Sequence, residues 1–366
     1  MKKSTLFLFA FFGMGLALQC QETFDNRSKV LIRYLDHWHN GETGIWETTS
    51  WWNAANILTA LINNAKLTDN PGFKEAIDDI HNKTKAFKVE ATEEKEAWIC
   101  KNYINDFYDD EGWWALAWLD AWEYTGEQKY LDMANIIFGD ITTGWSENGG
   151  LYWKKGLKFK SAISNGLTLT LATRLHLAGT KNVNGKSALD WATSIWEWMI
   201  ASQLLNSDGN IQDGVRFKNG EESINENVWT YNQGVVLTGL ANLHRITKEG
   251  HYLQSAHALA RATIKNMTDS RSILVEKRCE PDNCRADAKQ FKGVFMRHLM
   301  YLHQQDPKNS YRRFIKKNAA SIWHKSMLNG KTAPGVVWTE PSEPNGATVS
   351  SALDAFNAAI SCNKIR

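Results

Sequence analysis

Apolar residues recur every three or four positions through almost the whole chain, and strand-like alternation is nearly absent, which restricts the sequence to helices. Gly, Pro, Asn and Asp divide this pattern into segments at approximately residues 27–40, 52–67, 71–86, 112–125, 127–139, 161–179, 185–203, 230–247, 249–268, 288–304, 308–328 and 348–361, with ends good to ~2–4 residues. The segments alternate in character. Trp52 to Leu67, Trp113 to Tyr124, Ser161 to Leu177 and Tyr231 to Leu243 are apolar nearly all round, whereas Asn184 to Ser202 and Gly250 to Ile264 are amphipathic. A helix apolar all round belongs inside and an amphipathic one outside. Six inner helices ringed by six outer ones describe an all-α (α/α)6 barrel, a toroid with essentially no sheet. No repeat of fixed period supports a stacked solenoid instead.

Only six prolines and no low-complexity linker interrupt the chain, so it reads as one large domain. The longer connections are 41–51, 90–111, 144–160, 205–229, 269–287 and 329–348, and each precedes an expected inner helix. Loops that enter the inner helices from the same end pool at one mouth of the barrel, and a concave site is expected there.

Lys2 and Lys3 followed by the apolar run Leu6 to Leu18 have the charged and hydrophobic parts of a secretory leader, too short to span a bilayer. Residues 1–20 are therefore expected to be a signal peptide and 21–366 the single mature domain of a secreted or periplasmic product. Cys20 also allows lipid attachment, although Gln19 stands where such sites want Gly, Ala or Ser. No other run reaches the ~18–20 apolar residues of a membrane helix, and Ile360-Ser361-Cys362-Asn363-Lys364 gives no hydrophobic tail for a glycolipid anchor. Lys plus Arg (42) nearly balances Asp plus Glu (40) without a dense basic run, which argues against a nucleic-acid partner. In an oxidising compartment Cys279 and Cys284, which bracket Glu-Pro-Asp-Asn, are the expected local disulfide; Cys100 with Cys362 is a weaker pairing. Asn26, Asn82 and Asn266 open glycosylation sequons that matter only in a eukaryotic host.

The chemistry concentrates in Tyr108-Asp109-Asp110-Glu111-Gly112-Trp113-Trp114, in a chain holding 17 Trp. Cleaving a glycosidic bond usually needs one carboxyl to protonate the leaving oxygen and another to attack the anomeric carbon or activate water, and flat aromatic faces stack on sugar rings. Side chains of neighbouring helical residues diverge by about 100°, so the Asp pair is expected in an irregular turn just before Gly112. Helix capping is the commoner use of such residues. Asp106 and Glu111 are read as supporting or solvated carboxylates. Trp51 and Trp153, in loops at the mouth, are candidate stacking platforms, while Trp118 and Trp122 are left in the core. Asn165, Asp213, Tyr231, Asn232 and Gln233 offer the groups that sugar hydroxyls require, though Asn165 and Gln233 suit buried hydrogen bonding between inner helices equally well. No His pair has metal-ligand spacing, and no phosphate loop or dinucleotide fingerprint appears, so neither metal nor cofactor is expected.

The Asp pair before Trp-Trp, Gly149-Gly150-Leu151-Tyr152-Trp153, Lys160 to Gly166, Trp229 to Gly234 and Lys292-Gly293-Val294-Phe295, taken in this order, resemble glycoside hydrolase family 76. The resemblance runs from about Tyr34 to Leu302. It implies an (α/α)6 barrel and a secreted endo-acting α-1,6-mannanase, with α-1,6-linked mannan or manno-oligosaccharide as its partner; a monomer is the expected state, although the sequence itself does not fix it. It further implies that the adjacent aspartates are catalytic and retain anomeric configuration, with Asp109 as nucleophile and Asp110 as acid/base. Two alternatives share the fold: a mannan transglycosidase, whose covalent intermediate is taken by a sugar hydroxyl rather than water, and a non-catalytic mannan-binding protein, against which the intact aspartates argue. An inverting enzyme fits less readily, because its carboxyls stand ~6.5–9.5 Å apart.

Overall fold

Helices that are buried along their whole length need a second layer around them, and the protein supplies it. The computed structural model describes residues 24–89, 98–218 and 221–365. The inner ring consists of α2 (Trp51–Leu67), α4 (Tyr108–Thr125), α6 (Ala162–Leu177), α8 (Thr230–Thr247), α10 (Phe291–Gln305) and α12 (Gly346–Lys364). Each packs on the next, and α12 packs back on α2, so the ring closes. The outer ring consists of α1 (24–38), α3 (Lys74–Thr84), α5 (Gln128–Thr143), α7 (Ala188–Ala201), α9 (Gly250–Asn266) and α11 (Asn309–Ser321). The twelve helices expected from periodicity are present in the expected two layers.

The burial patterns explain the assignment. Every residue of α6 from Ala162 to Thr173 is buried, as is every residue of α12 from Gly346 to Cys362, whereas α9 buries one stripe, Tyr252, Ala256, Leu259 and Thr263 spaced three or four apart with His257 and Ala260 beside them. Inner helices approach closely where a side chain is missing. A Cβ on Gly293 would stand 2.4 Å from the Cα of Ser351, and one on Gly234 would stand 2.7 Å from the Cα of Phe295. Closure of the ring is also polar. Arg297 of α10 donates to both carboxylate oxygens of Asp354 at 3.0 and 2.6 Å and to Oδ1 of Asn56 at 2.8 Å, while Asn64 donates to Oδ1 of Asn357 at 2.9 Å.

The connections are more ordered than the near absence of strand alternation predicts. Short antiparallel pairs form between β1 (Ala86–Val89) and β2 (Trp98–Lys101) and between β4 (Asn182–Val183) and β5 (Lys186–Ser187). The longest stands at the mouth, where β3 (Phe159–Ser161) pairs with β6 (Gly214–Lys218) and β6 with β7 (Glu221–Asn225). Long loops must satisfy their own backbone groups, and these do so by pairing with each other. A second correction concerns α4, which starts at Tyr108 and carries Asp109 and Asp110 in its first turn rather than in an irregular turn before it.

Cys279 and Cys284 are bridged, as expected. Cys100 and Cys362 are not; both are buried free thiols. Cys100 lies on β2, in the connection leading into α4, whereas Cys362 lies in the last turn of α12, at the other end of the barrel. The leader and Cys20 lie outside the described residues. Among the described residues no helix is long and apolar enough to cross a membrane.

Candidate active site

The first turns of the inner helices and the loops feeding them enclose a cavity of about 1000 Å³ at one mouth. Its aromatic lining is a continuous series across four inner helices. Trp52 of α2 lies 5.8 Å from Trp113 of α4, Trp113 lies 6.4 Å from Tyr231 of α8, and Tyr231 stacks on Phe291 of α10 at 3.7 Å with 10° between planes. Rings held this way present flat apolar faces with polar groups beside them, which suits a sugar.

Asp109 and Asp110 both line this cavity. Oδ2 of Asp109 accepts the indole N–H of Trp153 at 2.9 Å, and its Oδ1 is buried with no hydrogen-bond partner among the described residues. Oδ2 of Asp110 accepts the side-chain amide of Asn105 at 2.9 Å. Burial pushes Asp109 up to about 7, against the lowering effect of the Trp153 N–H and of backbone N–H groups in its own helical turn. Burial also drives Asp110 well above the ordinary carboxylate range, and there the negative charge of Asp109 is the second cause. Both carboxyls are thus raised, and their repulsion keeps a proton on the pair where an isolated carboxylate would be ionised. That is a base beside an acid.

Behind the pair, Glu111 is fully buried and accepts the backbone N–H of Asn105 at 3.1 Å and the Lys155 ammonium at 3.2 Å. Burial, reinforced by the charge of Asp140, raises its carboxyl to about 9. Glu111 thus belongs to the support of the turn. Asp106 lines the cavity and is exposed.

The expected site residues divide into two groups. Asp213, Tyr231 and Trp153 line the cavity with the aspartates. Trp153 serves as a hydrogen-bond donor to Asp109, packed between Phe107 and Phe159, which is more specific than the stacking role expected for it. Asn232 is buried behind the wall and donates to Oδ1 of Asp213 at 3.2 Å, while Asn225 donates to Oδ2 at 2.8 Å. Burial raises Asp213, and the Asn232 hydrogen bond opposes that rise.

Trp51, Asn165 and Gln233 do not line the cavity. Trp51 is buried against Tyr103 at 6.2 Å and donates to the Thr84 carbonyl at 3.3 Å; one helical step turns Trp52 to the cavity instead. Asn165 accepts the N–H of Leu151 at 2.9 Å and donates to its carbonyl at 3.1 Å, and Gln233 does the same for Ile211 at 2.7 and 2.8 Å. Each amide pins a mouth loop to an inner helix, so these two residues shape the cavity without touching its contents. Sequence reasoning missed Asn105, Phe291 and Asp287. Asp287 lines the cavity, accepts the Trp52 indole N–H at 3.1 Å, and its charge adds to the rise of both catalytic candidates.

The model of glycosyl hydrolase family 76 matches residues 23–364. The chain is 28% identical to the mannan endo-1,6-alpha-mannosidase of Candida albicans over 317 residues, covering 80% of this chain and 68% of that protein. It is 24% identical to the corresponding Saccharomyces cerevisiae protein over 300 residues, covering 77% of this chain and 64% of the relative, so it spans about two thirds of their length. Among solved structures it resembles an inactive α-1,6-mannanase variant of Salegentibacter sp. HEL1_6, in which two consecutive aspartates are replaced by asparagine, in complex with α-1,6-mannotriose. That likeness has a TM-score of 0.79 at 22% identity and covers 92% of this chain and 99% of the other.

Proposed function

This chain belongs to glycosyl hydrolase family 76, and from that premise we propose that it is an exported, endo-acting α-1,6-mannanase that retains anomeric configuration. The observation that carries the reading is the pair Asp109 and Asp110 in one helical turn, inside an aromatic cavity, with different hydrogen-bond partners. Asp109, which lines the cavity and is oriented by the Trp153 N–H, is assigned as the nucleophile. In the first step the Asp109 carboxylate bonds to the anomeric carbon while Asp110 protonates the departing glycosidic oxygen. In the second, Asp110 takes a proton from water as water displaces Asp109, so two displacements restore the original configuration. Asp213 and Tyr231 are assigned to sugar binding, Trp153 and Asn105 to orienting the two carboxylates. The open mouth supports internal rather than terminal cleavage. Export rests on the leader at residues 1–20.

Product analysis on debranched α-1,6-mannan beside intact mannan tests the reading. A ladder of oligosaccharides whose first-formed anomer, followed by NMR before mutarotation, keeps the α configuration is expected. An initial β anomer overturns the covalent mechanism, and no product from either polymer overturns the activity.

A further inference from the structure

One wall of the cavity is cationic. Lys154, Lys158 and Arg216 all line it, and none of the three makes an ion pair with a carboxylate among the described residues, although Asp106, Asp109, Asp110, Asp213 and Asp287 line the same cavity and the Arg216 charge lowers the Asp213 carboxyl. Backbone hydrogen bonds gather them. Leu157 donates to the Lys154 carbonyl at 3.1 Å, Phe217 donates to the Lys158 carbonyl at 3.4 Å, and Arg216 stands opposite Phe159 in the β3–β6 register. Aromatic rings of the cavity hold two of the charged heads: the Lys154 ammonium sits 4.8 Å from the centre of Phe107 and the Arg216 guanidinium 5.7 Å from that of Phe159.

Three of the four cations that line the pocket at the opposite end of the barrel, Lys66, Arg174 and Arg297, are paired with carboxylates, and Arg245 is not. There Arg174 binds Asp120 and Glu123 at 2.7 and 2.8 Å, and Arg297 binds Asp354. A chain with 42 basic and 40 acidic residues has no general surplus to place at this wall. Nor do these three cations serve the catalytic carboxylates: the charge named among the influences on both Asp109 and Asp110 from outside the pair is that of Asp287. Among the described residues their charged ends make no side-chain hydrogen bond, which leaves their donors available to an occupant of the cavity.

We propose that this wall is a subsite for an oxyanion carried on the glycan, a phosphate or sulfate ester of a mannose hydroxyl, so that the enzyme prefers anionic over neutral α-1,6-mannan chains. The proposal rests on the mannanase reading and narrows its substrate class. Two ammonium groups and a guanidinium fork suit an ester oxyanion, which accepts several charge-assisted hydrogen bonds at once. The neutral backbone would lie over the aromatic series while the ester reaches the β3–β6 side.

The test compares kcat/KM of the full mature protein on a neutral α-1,6-manno-oligosaccharide and on the same chain carrying one phosphate or one sulfate ester. The wild type should favour an ester by about tenfold at low salt, mainly through KM, and the preference should shrink as added salt screens it. In the triple variant Lys154→Gln, Lys158→Gln, Arg216→Gln the ratio should fall towards one, with thermal unfolding and neutral-chain activity measured on the same preparation to report folding. A preference for phosphate alone, or for both esters equally, supports the subsite and names its anion. A wild-type ratio at or below one, or a ratio that survives the triple substitution, overturns it. If the neutral chain is not cleaved at all, the mannanase reading fails by itself, and calorimetric binding of ester against neutral chain, in wild type and triple variant, then decides the subsite.

Discussion

Trp153 donates its indole N–H to Oδ2 of Asp109 at 2.9 Å, from a loop 44 residues further along the chain. A donor to a carboxylate favours its ionised form, so this contact lowers a carboxyl that burial has raised towards about 7. Trp153→Phe keeps a ring between Phe107 and Phe159 but removes the donor. Asp109 should then hold its proton to higher pH, so the acidic limb of kcat/KM should move to higher pH and activity below neutrality should drop by roughly tenfold. A limb that stays in place would show that the indole only packs.

The two aspartates should separate kinetically. Asp109→Ala should abolish turnover even on a substrate with an activated leaving group. Asp110→Ala should still form the glycosyl-enzyme when the leaving group needs no proton, and azide should then replace the water that Asp110 no longer activates. Assays with aryl mannosides and external azide read both; the opposite pattern exchanges the roles.

Arg297 and Asp354 form a buried pair, 9% and 1% exposed, between α10 and α12. Arg297→Met strands the carboxylate and should cost about 3–5 kcal/mol of stability, whereas Arg297→Met combined with Asp354→Leu should recover most of that loss. Denaturant titration of both variants checks this. Equal losses would mean that the pair contributes by shape alone.

The Cys279–Cys284 bridge closes a short turn whose Glu280 binds the buried Lys292 at 2.5 Å and accepts the N–H of Glu276 at 2.8 Å. Glu276 in turn accepts the N–H of Thr230 at 3.0 Å, at the start of α8 and one residue before Tyr231. Replacing both cysteines with serine should lower stability by about 2 kcal/mol on the loop-entropy estimate and loosen the Tyr231–Phe291 stack. Weaker substrate binding with unchanged far-ultraviolet circular dichroism is the expected result. Unaltered KM would confine the bridge to a stability role.

The two helical layers were legible because burial imposes a period on long segments: α6 is apolar or small nearly all round, and α9 shows its single apolar stripe. Helix phase in a first turn was not legible. Trp51 and Trp52 are adjacent and chemically identical, and only the start of α2 decides which enters the core. The same uncertainty of one turn put Asp109 and Asp110 outside α4. Asn165 and Gln233 were recognised as able either to meet sugar or to bond within the protein, and the choice depended on loops brought beside them from 14 and 22 residues away. Asp287 gave no signal, since a carboxylate in a polar connection looks the same whether it faces solvent or a cavity. The strands at the mouth are too short for a two-residue period to show.

Ring closure by α12 has a consequence for the order of events during synthesis. Asn64 meets Asn357 across 293 residues, and Asn56 meets Arg297 across 241. The earliest inner helix therefore waits for the last before its exposed flank is covered, and loop closure over such separations slows the approach to the native state. Until α12 joins, the flank of α2 that it covers stays accessible, so a chain stopped before residue 346 should lack the closed ring.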